Sequence, residues 1–289
     1  MDKLNEFYNY LTNEKRYSLN TVNAYKRDLN DFNLYLKKES ETEVNEFVIK
    51  NYLAYLYSLS LSKKTISRRI SSLKSYYKFL LKKYNIKNNF INEIKCPKKD
   101  KLLPDMIYKD EVTKILEYSP NGKFCYRNKS ILHLLYSSGV RVSELCNITL
   151  ASINLEDRYL IVTGKGNKTR ICPFSKTCKQ AIENYIHLER NNIAKADNEY
   201  LLINKYGDNL TTRSIENIIS KISFELFGNK KLHPHIFRHT YATQLLNNGA
   251  DLRIVQELLG HSSLMTTQVY THLAKEEINK IYKGSHPRN

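Results

Sequence analysis

Six residues in the second half of the chain have the types and the order to do one piece of chemistry. Arg141 stands in Ser138-Gly139-Val140-Arg141, and Lys165 in Gly164-Lys165-Gly166-Asn167. His235 and Arg238 form a His-x-x-Arg pair, His261 follows Leu259-Gly260, and Tyr270 lies nine residues farther on. A phosphodiester carries a negative charge that repels nucleophiles. Attack on it needs cations on the non-bridging oxygens, a base for the nucleophile and an acid for the leaving oxygen. Two arginines, a lysine and two histidines can hold and protonate one phosphodiester, and a tyrosine can attack it. Such a set would cut a DNA strand with no metal and no ATP.

Arginine grips phosphate with two parallel donors, which lysine cannot do, so Arg141 and Arg238 form the expected clamp. The alternative for Arg141 is a salt bridge inside its own Arg-x-x-Glu segment, with Glu144. His235 and Arg238 are three apart and share a face if the segment is helical, with Pro234 fixing the helix start. Lys165, at the tip of an expected hairpin, can reach a departing 5′-oxygen as a general acid; a plain turn with a solvated lysine reads the same way. The full phosphate-cradling pattern Gly-x-x-x-x-Gly-Lys-Ser/Thr is missing there. His261 can donate to a phosphate oxygen, orient the tyrosine, cap a helix or sit in a core. Tyr270 is the nucleophile candidate. Ionising an ordinary tyrosine at pH 7 costs roughly 4 kcal/mol, which a nearby base and a cationic clamp reduce. Attack would leave a 3′-phosphotyrosine and a free 5′-hydroxyl, so resealing would need no nucleotide. With 22 tyrosines in the chain, no single one carries weight outside this set.

The elements that must position these residues are mostly helical. In the first 85 residues, Leu4, Phe7, Tyr8 and Leu11 mark one helix. Val22, Tyr25, Leu29, Phe32 and Leu36 mark a second, capped by Ser18. Val44, Phe47, Val48, Tyr52, Leu56 and Leu59 mark a third. Ile66, Ile70, Leu73, Tyr77 and Leu80 mark a fourth that begins near Ser62. The stripes predict a four-helix domain with one core. Off the fourth stripe lie Lys63, Lys64, Thr65, Arg68, Arg69 and Lys74, with Ser71 and Ser75, a composition suited to a helix in a DNA major groove or to a wet helix face. The organisation expected is a DNA-binding domain over 1–87, a basic linker over 88–105 that contains Lys95-Cys96-Pro97-Lys98-Lys99, and a catalytic domain over 106–289. In the last of these, Tyr159–Val162 and Arg170–Pro173 predict a hairpin, and Tyr200–Ile203 a further short strand. Helices are expected on either side of Gly139 and over 176–194, 212–227, 236–248, 251–259, 263–273 and 276–282, with stops at Asn248-Gly249 and Gly260.

Composition agrees with a polyanionic partner. Across 289 residues, 46 basic side chains face 29 acidic ones, a net charge of +17. The excess is shared: 20 against 11 in 1–100, and 26 against 18 in 101–289. Both domains are basic, as expected if both hold a long duplex, although a lysine-rich solvated surface would count the same. Five cysteines without a Cys-x-x-Cys give neither a zinc site nor a disulfide framework, and read as reduced thiols of a cytoplasmic protein. The polar N-terminus does not read as a signal peptide, and no apolar run approaches the ~20 residues of a membrane span.

Taken together, Ser-Ser-Gly-Val-Arg141-Val-Ser-Glu-Leu, Gly-Lys165-Gly-Asn-Lys-Thr-Arg, Pro-His235-Ile-Phe-Arg238-His-Thr-Tyr-Ala-Thr, Leu-Gly-His261-Ser-Ser and Thr-Thr-Gln-Val-Tyr270-Thr-His resemble the tyrosine recombinase (phage integrase) family in identity, order and spacing. Within it the chain is most similar to the bacterial Xer recombinases that resolve chromosome dimers. The resemblance extends to Ser18-x-x-Thr21-x-x-x-Tyr25-x-x-Asp28-Leu29-x-x-Phe32 and to Tyr282-x-x-x-His286-Pro287-Arg288. It implies a mainly α tyrosine recombinase fold. An N-terminal four-helix SAM-like core-binding domain would precede an α-rich catalytic domain with a small antiparallel sheet, the two forming a C-shaped clamp. It implies that Arg141 and Arg238 clamp the scissile phosphate, that His235 assists proton transfer from Tyr270, that Lys165 protonates the leaving oxygen and that His261 supports the transition state. It implies no cofactor and no metal. The partners it implies are double-stranded DNA with an inverted-repeat site, a homo- or heterotetramer on two duplexes with or without a paralogous recombinase, and a septal DNA translocase. Strands would exchange in pairs through a Holliday junction on the nucleoid. The terminal helix, with Ile278, Ile281 and Tyr282 as its apolar face, would dock on a neighbouring protomer or cap its own domain. The rival readings are the integrase or excisionase of a mobile element, a type IB topoisomerase and a DNA-binding protein without activity.

Overall fold

The structure, a computed structural model, describes residues 3–41, 43–86, 94, 106–119, 122–164, 168–260, 282 and 284–287. The chain divides into two units, Met1–Leu103 and Pro104–Asn289. No helix among the described residues is long and apolar enough to cross a membrane.

In the first unit, hydroxyl and amide side chains start the helices. Helix α1 (Lys3–Asn9) runs on into a π turn, Tyr10–Glu14. Ser18 accepts from the Thr21 amide at the head of α2 (Leu19–Lys38). Asn45 accepts from Val48 (3.0 Å) at α3 (Glu46–Ser58), and Ser62 from Thr65 (3.2 Å) at α4 (Lys63–Tyr84). Each such cap satisfies an amide that the first turn leaves orphaned. The apolar stripes then meet: Val22, Leu29 and Phe32 of α2 pack with Val48, Tyr52 and Leu56 of α3, and with Ile66, Ile70 and Leu73 of α4, closing on Phe7 and Leu11. Tyr25 and Leu36 of the expected stripe flank this core rather than enter it. One buried carboxylate interrupts it. Asp28 takes the Ser72 hydroxyl (2.7 Å) and the Arg68 guanidinium.

The second unit is built round α6 (Cys125–Ser138), which is buried along nearly its whole length. It is preceded by α5 (Lys109–Glu117), a helix the apolar spacing did not announce. A helix buried all round must settle its own hydroxyls. Ser130 donates to the Ala181 carbonyl (2.6 Å), and Ser137 and Ser138 donate back to His133 and Leu134. Packed on α6 are α8 (Lys176–Leu188) and α10 (Pro234–Asn247). Between lie α7 (Val142–Cys146), a three-stranded antiparallel sheet of β1 (Ile153–Asn154), β2 (Tyr159–Thr163) and β3 (Thr169–Pro173) in that order, and α9 (Thr212–Phe227); α11 (Leu252–Leu259) follows α10.

The expected hairpin is present, with Leu160 opposite Cys172 and Val162 opposite Arg170. The expected strand at Tyr200–Ile203 is not. Tyr200 and Ile203 each form one isolated bridge, to Thr149 and to Asn209. Helix α8 also stops short of 194, because the Arg190 guanidinium turns aside to take the Asn198, Tyr200 and Leu201 carbonyls. The expected linker over 88–105 lies outside the described residues except Ile94. The helix expected at 263–273 lies wholly outside them, and the terminal one outside except Tyr282.

Tyr282 is buried against α6 and α10 of its own unit, and its hydroxyl donates to the Ser137 carbonyl (2.9 Å). His286 stacks on the Tyr282 ring with centroids 4.7 Å apart, and Asn248 donates to the Ser285 carbonyl (2.7 Å). These last residues therefore cap their own domain.

Gly139 joins this core to the site. It ends α6 at φ +59°, and a Cβ there would stand 2.5 Å from the Tyr241 ring of α10. Both the left-handed backbone and the contact demand glycine. Gly139→Ala should cost about 2–5 kcal/mol, from left-handed strain and overpacking together. An unfolding free energy from urea denaturation within 1 kcal/mol of the parent would show that α10 can back away.

Candidate active site

Arg141, Arg170 and Arg238 come from three separate elements and converge on one helix end. The last carbonyls of α11 have no helical amide to accept from. Arg170, in β3, gives its Nε to the Leu258 carbonyl at 2.8 Å. Arg238, in α10, gives one terminal nitrogen to the Leu259 carbonyl and the other to the Gly139 carbonyl at 2.6 Å. Arg141, at the start of α7, gives a terminal nitrogen to the Gly260 carbonyl at 3.2 Å. The negative end of the α11 dipole thus meets three guanidiniums just before His261.

One carboxylate balances them. Glu144 accepts the Arg141 amide (2.7 Å), the Arg141 guanidinium (2.8 Å) and both terminal nitrogens of Arg170 (2.8 Å each). The salt bridge left open for Arg141 is therefore real, and the arginine still reaches Gly260. Burial by itself would raise the Glu144 carboxyl, but Arg170 and then Arg141 reverse this and hold it at about 2. Burial would likewise lower Arg170, and Glu144 reverses that, raising it above the usual arginine range. Arg238 has no such partner. Burial first, then the charges of Arg141 and Arg170, pull it down to about 10. Three guanidiniums against one carboxylate leave an uncompensated positive charge. Arg141 is the most open of the three, with a third of its side chain exposed, against 6% for Arg170. The arrangement is suited to receive an anion that can take two parallel donors, such as a phosphate.

His235 occupies the first turn of α10 with Pro234 at its start, is exposed, and lies 6.3 Å from the His233 ring. Arg238, one turn on, points into the protein at 9% exposure. The His-x-x-Arg spacing therefore supplies one solvent-facing and one inward group from a single turn. Lys165, His261 and Tyr270 lie outside the described residues. Their neighbours Gly164, at the end of β2, and Gly260, at the end of α11, are described. Arg170 was missed by the sequence reading. Its available signal was register: opposite Val162, it falls on the inward face of β3.

In the first unit, Lys63 and Lys64 are exposed on the opening turn of α4, and the Thr65 hydroxyl bonds Ser62. Arg68 is paired with Asp28 and Arg69 with Asp31 (2.6 Å), while Lys74 donates to the Ile94 carbonyl (2.7 Å). Among the described residues, no cluster of three or more histidine, cysteine or acidic side chains could hold a metal ion.

Comparison with known proteins places this geometry. A model of the phage integrase family matches residues 105–277, and one of the phage integrase N-terminal SAM-like domain matches 4–83. A protein named tyrosine recombinase XerC from Listeria monocytogenes serotype 4b (strain F2365) is 41% identical, covering 98% of this chain and 97% of its own. One named tyrosine recombinase XerD from Oceanobacillus iheyensis is 39% identical, covering 99% and 98%. Among solved structures, XerA recombinase is 30% identical over the whole of both chains with a TM-score of 0.51. The Tn1549 transposon integrase in complex with transposon right end DNA, 20% identical over 96% of this chain and 99% of its own, has a TM-score of 0.71 and shares the fold.

Proposed function

This chain belongs to the phage integrase family of tyrosine recombinases, enzymes that cut and rejoin DNA at specific sites, and from that premise we propose how its own residues divide the work. Residues 106–289 are the catalytic domain. Arg141 and Arg238 hold the non-bridging oxygens of the scissile phosphate. The Tyr270 oxygen attacks phosphorus, His235 assists removal of its proton, and the bond to the 5′-oxygen breaks as Lys165 supplies a proton there. His261 supports the charge that builds on phosphate. The products are a 3′-phosphotyrosyl bond and a 5′-hydroxyl, and attack by a second strand's hydroxyl reverses the step. The observation that carries this reading is the convergence of Arg141 and Arg238 on the Leu259 and Gly260 carbonyls, with positive charge in excess.

Residues 1–87 would bind the flanking duplex, with Lys63, Lys64 and Thr65 at its surface. Arg68, Arg69 and Lys74 would contribute from their present partners. Four protomers, of one kind or paired with a paralogue, would act on two inverted-repeat sites through a Holliday junction. The role is conversion of chromosome dimers to monomers at cell division, on the nucleoid and with a septal DNA translocase. The near full-length likeness to proteins named XerC and XerD supports it.

The test is to trap the protein covalently on nicked, fragmented DNA of its own host, with any paralogue added, and to sequence what survives denaturation. One inverted-repeat site near the replication terminus is expected. A site at the edge of a mobile element would make the protein an integrase. Adducts without sequence preference would make it a topoisomerase, and no adduct would overturn the reading.

A further inference from the structure

Arg170 has no role in the strand-transfer scheme above, yet it bonds both Glu144 and the end of α11. Its side chain and that of Glu144 lie close to two glycines. A Cβ on Gly260 would stand 3.1 Å from its Cδ and 3.2 Å from one terminal nitrogen. A Cβ on Gly164 would stand 3.2 Å from the Glu144 carboxylate and 3.6 Å from Arg170. Gly164 is the residue before Lys165, and Gly260 the residue before His261. Arg170 also anchors the Leu258 carbonyl and, through Glu144, both the amide and the guanidinium of Arg141. Both partners of the pair are buried, at 5% and 6% exposure. Their bonds are matched: Glu144 takes four donors, and Arg170 uses all three of its nitrogens.

From this packing we infer that Arg170 is a positioning residue for strand cleavage: its buried pair with Glu144 sets the backbone entering Lys165 and His261 and the direction of Arg141. The inference rests on the recombinase reading for its effect on rate, and on geometry alone for its effect on structure. Two facts make the guanidinium specific. Its planar fork serves Glu144 with two nitrogens while the third reaches Leu258, a task beyond the single ammonium of lysine. The glycines fit the pair closely, since a side chain at Gly260 would crowd Arg170 and one at Gly164 would crowd Glu144.

The test uses Arg170→Met and Arg170→Lys, with the double variant Glu144→Gln/Arg170→Met to avoid leaving a buried carboxylate alone. On a nicked substrate carrying the site, single-turnover adduct formation by Arg170→Met should fall about 100-fold at saturating protein, as for a displacement of roughly 1 Å at a reacting group, with DNA affinity little changed. The groups facing Glu144 are Arg141 and Arg170, with Arg238 and Cys172 nearby. Without Arg170, burial should raise the Glu144 carboxyl. Cleavage by Arg170→Met should then show an acid-side decline in addition to the one His235 gives the parent. Arg170→Lys should remove that added decline and recover the rate only in part. The double variant should show the low rate with the parent's acid-side profile. Rates within 3-fold of the parent in both single variants would overturn the inference.

Crystal structures of Arg170→Met and the double variant test it without chemistry. Gly164, Gly260 and the Arg141 guanidinium should shift from their parental positions. If all three stay in place, the positioning role is wrong even where cleavage is lost. If they shift and the parent itself forms no adduct, the recombinase reading fails and the positioning role stands.

Discussion

Replacing Tyr270 with phenylalanine should abolish the covalent protein–DNA adduct while leaving site binding intact. The loss should be on the order of 10⁴- to 10⁶-fold, the scale seen when a covalent nucleophile is removed from a site that otherwise stays whole. The ring and its packing survive; only the attacking oxygen goes. Neither Tyr241 nor Tyr282, two buried tyrosines among the described residues of this domain, is fit to replace it. Tyr241 lies within the field of Arg170 and Arg238, but burial pushes its hydroxyl far above the ordinary tyrosine range. Burial does the same to Tyr282, whose hydroxyl is already given to Ser137. A denaturing gel of end-labelled nicked substrate, run beside a native gel of the same mixture, reads both quantities. An adduct that persists in the phenylalanine variant would move the nucleophile to another of the 22 tyrosines.

The second large effect is expected at Arg238. Its fork spans two backbones, Gly139 after α6 and Leu259 at the end of α11, and lysine can satisfy only one of them. Arg238→Lys should lower single-turnover cleavage by about 10²–10³-fold, as loss of one preorganised donor does elsewhere. A thermodynamic signature should accompany it. Arg238 is held at about 10 in the fold, against 12.5 in the open chain. Its charged form is therefore disfavoured by folding at any pH below that value, at a cost on the order of 3 kcal/mol. A phosphate beside it relieves this cost. Site DNA should raise the melting temperature of the parent by more than it raises that of Arg238→Met. Equal shifts in the two proteins would show that Arg238 does not meet the phosphate.

What the sequence made legible follows from what is local. Ser18 and Ser62 announced the helices they cap because a cap and the turn it serves are adjacent in the chain. The stripes of α2 and α4 predicted a buried face because 3-4 spacing is itself the geometry of a helix, and Leu29, Phe32, Ile66 and Ile70 do lie in the core. Arg141 and Arg238 stood out by type and neighbours, and the structure brings them to one helix end. Arg170 stayed hidden, because its burial depends on Glu144, 26 positions away, and on a carbonyl 88 positions away. A basic residue in a five-residue strand otherwise reads as solvent-facing. Strand β1, two residues long, is too short for any period to show. Tyr200–Leu201–Leu202–Ile203 has the composition of a strand, yet its Tyr200 and Leu201 carbonyls answer to Arg190 and its Ile203 carbonyl to Arg127 instead.

The docking of Tyr282 on Ser137 closes a ring. Gly260 is held by Arg141, Leu259 and Gly139 by Arg238, and Tyr282 returns to the same end of α6. Gly260 and Tyr282, the described residues on either side of 261–281, thus meet in one small region of the domain. Chain length alone keeps Tyr270, ten residues from Gly260 and twelve from Tyr282, within about 35 Å of the Gly260 backbone that Arg141 holds. On the nucleophile role proposed for Tyr270, such a leash would give it an effective concentration on the order of millimolar at a phosphate held by these arginines, whatever the protein's concentration in the cell. On the same assignment a DNA end joined to Tyr270 would inherit that leash, and the broken strand would be kept within reach of resealing by a covalent tether.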